Sequence, residues 1–175
     1  MRYVALLRGI NVGGKTRVEM PRLKQVFEGV GCVDVSTYIN SGNVIFTDER
    51  NSKNLAEILE VAIEKEFGLS VPVIVRDQHN IAMLANKIPA SWTNDKSQKT
   101  DVMFLWDNVD DESVLGKIRI DPKLERVLYL PGALVWNIGR ENVARGSGIK
   151  LIKSEVYKYV TVRNINTLRK LETLL

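Results

Sequence analysis

The chain has 175 residues, 45% of them hydrophobic and 26% charged, with a net charge of +4. That length can bury a core without staples, and a single cysteine (Cys32) and a single histidine (His79) exclude an internal disulfide and a Cys/His zinc cluster, so no metal is expected. No apolar run reaches the roughly 18 residues of a membrane-spanning helix, and Tyr3–Leu7 before Arg8 is too short for a secretion signal, so a cytoplasmic protein with no membrane partner is expected.

Residues 2–10 read as a first strand, a near-continuous apolar run of the kind buried on both faces. A loop from Asn11 to Val18 carries Gly13-Gly14. A helix opens near Pro21, where a missing N–H costs nothing, with Met20, Leu23, Val26, Phe27 and Val30 as one stripe and Gly31 as its stop. Val33–Ile39 is β-branched and alternating. Asn40-Ser41-Gly42-Asn43 is a tight turn, and Val44–Thr47 is the return strand of a hairpin. Ser52 or Asn54 caps the next helix, whose inner face is Leu55, Ile58, Leu59, Ala62, Ile63 and Phe67, and Gly68 ends it. Val71–Val75 is a fourth strand, followed by a shorter helix over 78–87.

This β-α-β-β-α-β order is the ferredoxin-like motif, assigned to residues 1–88. Residues 89–99 are polar and rich in structure breakers, and read as a linker. A second α+β part fills 100–175. It has a strand at Asp101–Trp106, a short helix capped by Asp110/Asp111, and a hairpin of 126–130 and 133–138 around Pro131-Gly132, a type II turn pair. Arg145–Gly148 is a basic loop, and helices are expected over about 149–158 and 163–174. The fold class is therefore α+β: a ferredoxin-like part, a smaller βαββα part and a C-terminal helix.

Gly9-x-x-x-x-Gly14-Lys15-Thr16 satisfies the pattern of a P-loop. Its context argues against one, because a P-loop must open a helix at Gly-Lys-Thr and Pro21 stands five residues on. A P-loop hydrolase or kinase therefore ranks below the other readings. Ferredoxin-like order instead places strand 1 beside strand 3, so the Arg8–Lys15 loop should touch the 40–43 turn. Arg8, Asn11, Gly13, Gly14, Lys15, Ser41, Gly42 and Asn43 then combine exposed amides with cations, a set that suits a phosphate. Turn chemistry alone also explains the glycines and Asn11 and Asn43.

A second polar concentration is Thr161–Lys170. Thr161 reads as an N-cap, with Arg163, Asn164, Thr167 and Lys170 on one helical face and Asn166 beside them. The charge distribution favours an anionic guest. Residues 1–25 hold six Lys/Arg against one acid and residues 140–175 eight against three, while the middle holds eleven against seventeen.

Three segments carry a family resemblance: Tyr3 to Lys15, Tyr38-Ile39-Asn40-Ser41-Gly42-Asn43-Val44-Ile45-Phe46, and Thr161-x-Arg163-Asn164-x-Asn166-Thr167. Together they make the chain resemble domain-of-unknown-function family 1697. The resemblance implies a mostly bacterial, cytosolic protein of two α+β parts, and a family that is not one of P-loop enzymes. The family usually has Lys or His and then Asn after the glycines, so Thr16 makes the Walker match a coincidence. Ile165 stands where the family tends to have Trp, which removes a stacking surface. No activity or cofactor comes with the resemblance.

The leading expectation is a phosphorylated small molecule or nucleotide bound in a basic cleft between the halves, with Arg163, Asn164, Asn166 and Thr167 completing the first loop's site. The alternative is nucleic-acid binding through the basic ends, for which strand 1 offers only Tyr3 and strand 3 only Phe46 as aromatics. No acid–base pair or metal set supports a reaction, and the oligomeric state is left open.

Overall fold

The computed structural model describes residues 1–13, 17–148 and 155–175. By internal contacts the chain divides into two units, Met1–Ile81 with Leu171–Leu175, and Ala82–Lys170.

The first unit follows the expected order: β1 (Arg2–Leu7), α1 (Met20–Gly29), β2 (Val33–Tyr38), β3 (Asn43–Thr47), α2 (Ser52–Phe67), β4 (Val73–Asp77) and the start of α3 (Gln78–Lys87). The strands lie in the order β2-β3-β1-β4, each antiparallel to its neighbours. Tyr3, Ala5 and Leu7 share one face with Val44, Phe46, Val73 and Val75, as alternation along a strand requires. Leu23 and Phe27 of α1 and Leu55, Leu59 and Ile63 of α2 close on that face. Every residue from Tyr3 to Leu7 is buried, so the first strand is covered on both faces.

The helix ends follow local chemistry. Pro21 sits in the first turn of α1, and Gly68 closes α2 in the left-handed conformation. The cap of α2 is Asn51, whose Oδ1 accepts from the Asn54 N–H at 3.0 Å, rather than Ser52 or Asn54. Strand β1 stops at Leu7, three residues earlier than its apolar run suggests, because Gly9 and Asn11 take positive φ.

The second unit contains β5 (Gln98–Leu105), β6 (Glu125–Leu130), β7 (Ala133–Gly139) and β8 (Val160–Asn164), with α4 (Ile165–Leu174) leaving it. Its antiparallel sheet has the order β6-β7-β5-β8. Numbered within the unit, that is the order of the first sheet. Three-ten turns at Glu112–Lys117 and Glu155–Tyr159 contribute Val114 and Val156 to a core with Met103, Leu105, Leu134, Trp136, Ile138 and Val160. The 126–138 hairpin turns at Pro131-Gly132, with Gly132 at φ +98°.

Three local expectations change here. Residues 160–164 form a strand, where a helix from 163 was expected. Val160 and Val162 are β-branched and pair with Leu105 and Met103, and tertiary pairing of this kind overrides a short helical pattern. Residues 155–159 form a three-ten turn, and the remainder of the expected 149–158 helix lies outside the described residues. Strand β5 also begins inside the segment read as a linker. Asp95 Oδ1 organises that segment by accepting from the Ser97 and Gln98 N–H groups and the Ser97 hydroxyl.

Candidate functional site

In the first unit the β1–α1 loop and the β2–β3 turn touch, as strand order requires. The Leu7 N–H donates to Gly42 O at 2.9 Å, and Asn11 Nδ2 donates to Asn40 O at 2.9 Å. These contacts join Leu7 and Asn11 on the loop side to Asn40 and Gly42 of the turn, with Ser41 and Asn43 inside that turn. Gly14, Lys15 and Thr16 lie outside the described residues.

Asn11 is a loop builder. Its Nδ2 also donates to Val18 O at 2.9 Å and its Oδ1 accepts from the Val18 N–H at 2.9 Å, so the amide closes the loop on itself and on the turn. Asn43 is fully buried and donates to Tyr38 O and Ser41 Oγ, inside the turn. Gly42 is forced by space. A Cβ there would lie 2.7 Å from Leu7 Cβ and 2.7 Å from Ile10 Cδ1, at φ +76°. Ile10 is buried, and its side chain anchors the loop beneath the turn.

What the loop presents is backbone. Gly9, Asn11 and Gly13 have φ of +73°, +55° and +62°, so left-handed residues alternate along it. Among the described residues, none accepts a hydrogen bond from the backbone N–H groups of Gly9 through Gly13. The next amide back, that of Arg8, donates to Pro72 O at 2.9 Å. Arg8 itself is half-buried at the end of β1.

In the second unit, Arg163 lies on β8 and not on a helix face. It is 7% exposed, and its Nη1 donates to Thr161 Oγ1 at 3.2 Å and Val162 O at 2.9 Å. Burial pulls its pKa down to about 10. Thr161 pairs with Phe104 in the sheet, so the cap of α4 is Asn164 instead: its Oδ1 accepts from the Thr167 N–H at 2.9 Å. Asn166 Nδ2 donates to Asn94 O at 3.0 Å, and Arg169, beyond the signature, reaches Pro89 O at 3.3 Å, so the start of α4 holds Pro89 and Asn94 within its unit.

One polar cluster was missed by the sequence reading. Asp48, 7% exposed, accepts from Arg50 Nε at 2.8 Å, Arg50 Nη2 at 2.6 Å and the Arg50 N–H at 2.9 Å. Arg50 Nη2 also donates to Val30 O at the end of α1. The guanidinium holds the Asp48 carboxyl down to about 2. Burial, aided by the Asp48 charge, pushes the Cys32 thiol up to about 12, which makes it a poor nucleophile. The Asp-Glu-Arg spacing gives no signal distinguishable from any charged turn. His79 is exposed, and the cap beside it is Asp77, whose Oδ1 accepts from the Asn80 N–H.

The P-loop reading lacks its architecture. Both neighbours of β1 run antiparallel to it, and α1 begins at Met20 rather than at Lys15. Tyr3 and Phe46 stack at 5.7 Å inside the core, so they offer no surface for bases. Among the described residues no cluster could hold a metal ion, and no helix is long and apolar enough to cross a membrane.

Two antiparallel ferredoxin-order sheets with a signature loop pair define an α+β protein whose fold carries no assigned chemistry. The chain belongs to the protein of unknown function family DUF1697, which matches residues 1–136. It is similar over nearly its whole length to a solved structure, the conserved bacterial protein SP0830 from Streptococcus pneumoniae. The two share 28% identity over 99% of this chain and 97% of that one, with a TM-score of 0.84. No curated protein matches the chain.

Proposed function

We propose that the first unit binds a phosphate-bearing small molecule on the Arg8–Gly13 loop. The reading rests on one observation: five consecutive backbone amides, Gly9 to Gly13, without an acceptor among the described residues, in a loop whose left-handed residues alternate. Alternation of that kind turns successive N–H groups toward one concavity, a nest for an anion. Asn11, Ile10 and Gly42 hold the loop's shape, which saves the ordering cost on binding. Arg8 supplies a planar fork matched to phosphate oxygens. Nucleotides and sugar phosphates share that group, and the proposal extends to no reaction. Nucleic-acid binding is not favoured, because Tyr3 and Phe46, the aromatics of the two central strands, are in the core.

The test is backbone amide NMR during titration with inorganic phosphate and adenosine monophosphate. The Gly9, Asn11 and Gly13 amides are expected to shift and saturate. Arg8→Ala is expected to weaken binding about tenfold to a hundredfold, the worth of a charge-assisted hydrogen bond. Amides that stay still with both probes at about 10 mM, a range that detects even weak binding, would reject the site.

A further inference from the structure

The second unit holds a cleft of about 330 Å³, at the small end of the range for ligand sites. Its floor is the end of β7 beside the start of β5, Trp92 forms one wall, and the chain entering β6 forms another. Asn137, only 5% exposed, lines it.

A chain of hydrogen bonds fixes which atoms face the cleft. The Thr100 hydroxyl gives its one proton to Thr93 O at 2.7 Å. Its oxygen can then only accept, so the Asn137 atom at 2.8 Å from it is the donor Nδ2. The second proton of Nδ2 goes to Gln98 Oε1 at 2.9 Å. That leaves Asn137 Oδ1 as an acceptor and Gln98 Nε2 as a donor, neither with a partner among the described residues. Asn137 Oδ1 is not itself sealed off, so this acceptor opens onto the cleft and is available to a donor there.

Charge defines the rest. Lys123 and Arg126 line the cleft and are exposed. Arg126 stands directly across the ladder from Asn137, and Thr100 stands across on the other side, so the three share one face. Glu125 turns its carboxylate to the face opposite Arg126, where it accepts from the Trp136 indole and from the Asp121 and Ser147 N–H groups. Glu141 is the remaining acid, engaged with Asn142 Nδ2. Neither Lys123 nor Arg126 forms an ion pair with either acid or with any other of the described residues.

We propose that this cleft binds a small anion that carries an amide or imide edge. The anionic group sits on Lys123 and Arg126, the ligand N–H donates to Asn137 Oδ1, and the ligand carbonyl accepts from Gln98 Nε2. Acylated amino acids and pyrimidine nucleotides both present this chemistry. The site is separate from the Arg8–Gly13 loop and stands or falls without it.

The experiment is NMR of the full chain, following the Gln98 side-chain amide and the backbone amides of Asn137, Ile138 and Gly139. The probes are N-acetylalanine and uridine monophosphate, with acetate and inorganic phosphate as anions that lack the edge. At least one probe is expected to shift these signals to saturation, about tenfold more tightly than its bare anion. Which probe binds identifies the source of the edge. Lys123→Ala with Arg126→Ala, and separately Gln98→Ala, should each weaken binding about tenfold or more, one charge-assisted or hydrogen-bonded contact's worth. The two cations are surface residues, so their removal keeps the fold. Three results would overturn the proposal: no shift from either probe at about 10 mM, bare anions binding as well as the probes, or undiminished binding in the double variant. Movement confined to the Gly9–Gly13 amides reports the other loop and also counts against this cleft.

Discussion

Gly42→Ala tests whether the loop pair is held by close approach. Two costs add. An L-residue at φ +76° costs about 1–2 kcal/mol. The new Cβ would also stand 2.7 Å from Leu7 Cβ and from Ile10 Cδ1. Carbon atoms rest about 3.5–4.0 Å apart, so the overlap is near 1 Å. Leu7 Cβ cannot yield, because β1 is paired on both edges. The turn must lift instead, stretching the 2.9 Å bond from the Leu7 N–H to Gly42 O. Overpacking of this kind costs about 1–3 kcal/mol, for a total of about 2–5 kcal/mol. Gly13→Ala is the control, with φ +62° and nothing within 4 Å of its Cβ, so only the backbone term of about 1–2 kcal/mol applies. Urea unfolding reads the difference. With a slope of roughly 1–3 kcal/mol/M, the Gly42 midpoint should fall clearly below the Gly13 midpoint. Equal losses in the two variants would show that the turn does not press on Leu7 and Ile10.

Two further outcomes follow from groups outside that loop. Asp48 has a folded pKa of about 2 against an ordinary 3.8, so its stabilisation is complete above about pH 4 and lost as pH falls through 2. It amounts to about 2 kcal/mol. An acid titration of Asp48→Asn should therefore show a shallower loss of stability over that window than the parent chain, and parallel curves would remove Asp48 from the account. Asn164→Ala takes away the acceptor of the Thr167 N–H at the start of α4 and should cost about 1 kcal/mol by thermal or urea unfolding. Thr161→Ala tests the rejected cap: if it cost helix stability and Asn164→Ala did not, the assignment would reverse.

The first unit was legible because its signals are local. Period 3.6 in α1 and α2, period 2 in the hairpin, Pro21 at the start of α1 and Gly68 at the end of α2 all point the same way. The contact between the loop after β1 and the 40–43 turn also followed, since strand order decides it. Roles within that contact did not. Whether Asn11 faces a ligand or closes its own loop depends on where Val18 O and Asn40 O lie, and no spacing rule gives that. In the second unit, five residues, Val160–Asn164, were too few to show a strand period and abutted a real helix. The Thr93–Thr100–Asn137–Gln98 chain was invisible because β7 supplies its third member from far along the sequence.

The repeated strand order has a consequence for the chain as it is made. In each sheet the earliest strand lies in the interior, and the strand that closes one of its sides comes last. β5 can pair with β7 as soon as the hairpin is complete, but its other side waits for β8. Until Val160–Asn164 emerges from the ribosome, the open rim of a three-stranded sheet carries Val102, Met103, Phe104 and Leu105. An apolar rim of that kind is a template for pairing with another chain, so the vulnerable moment for aggregation falls during synthesis, before the finished protein hides that edge.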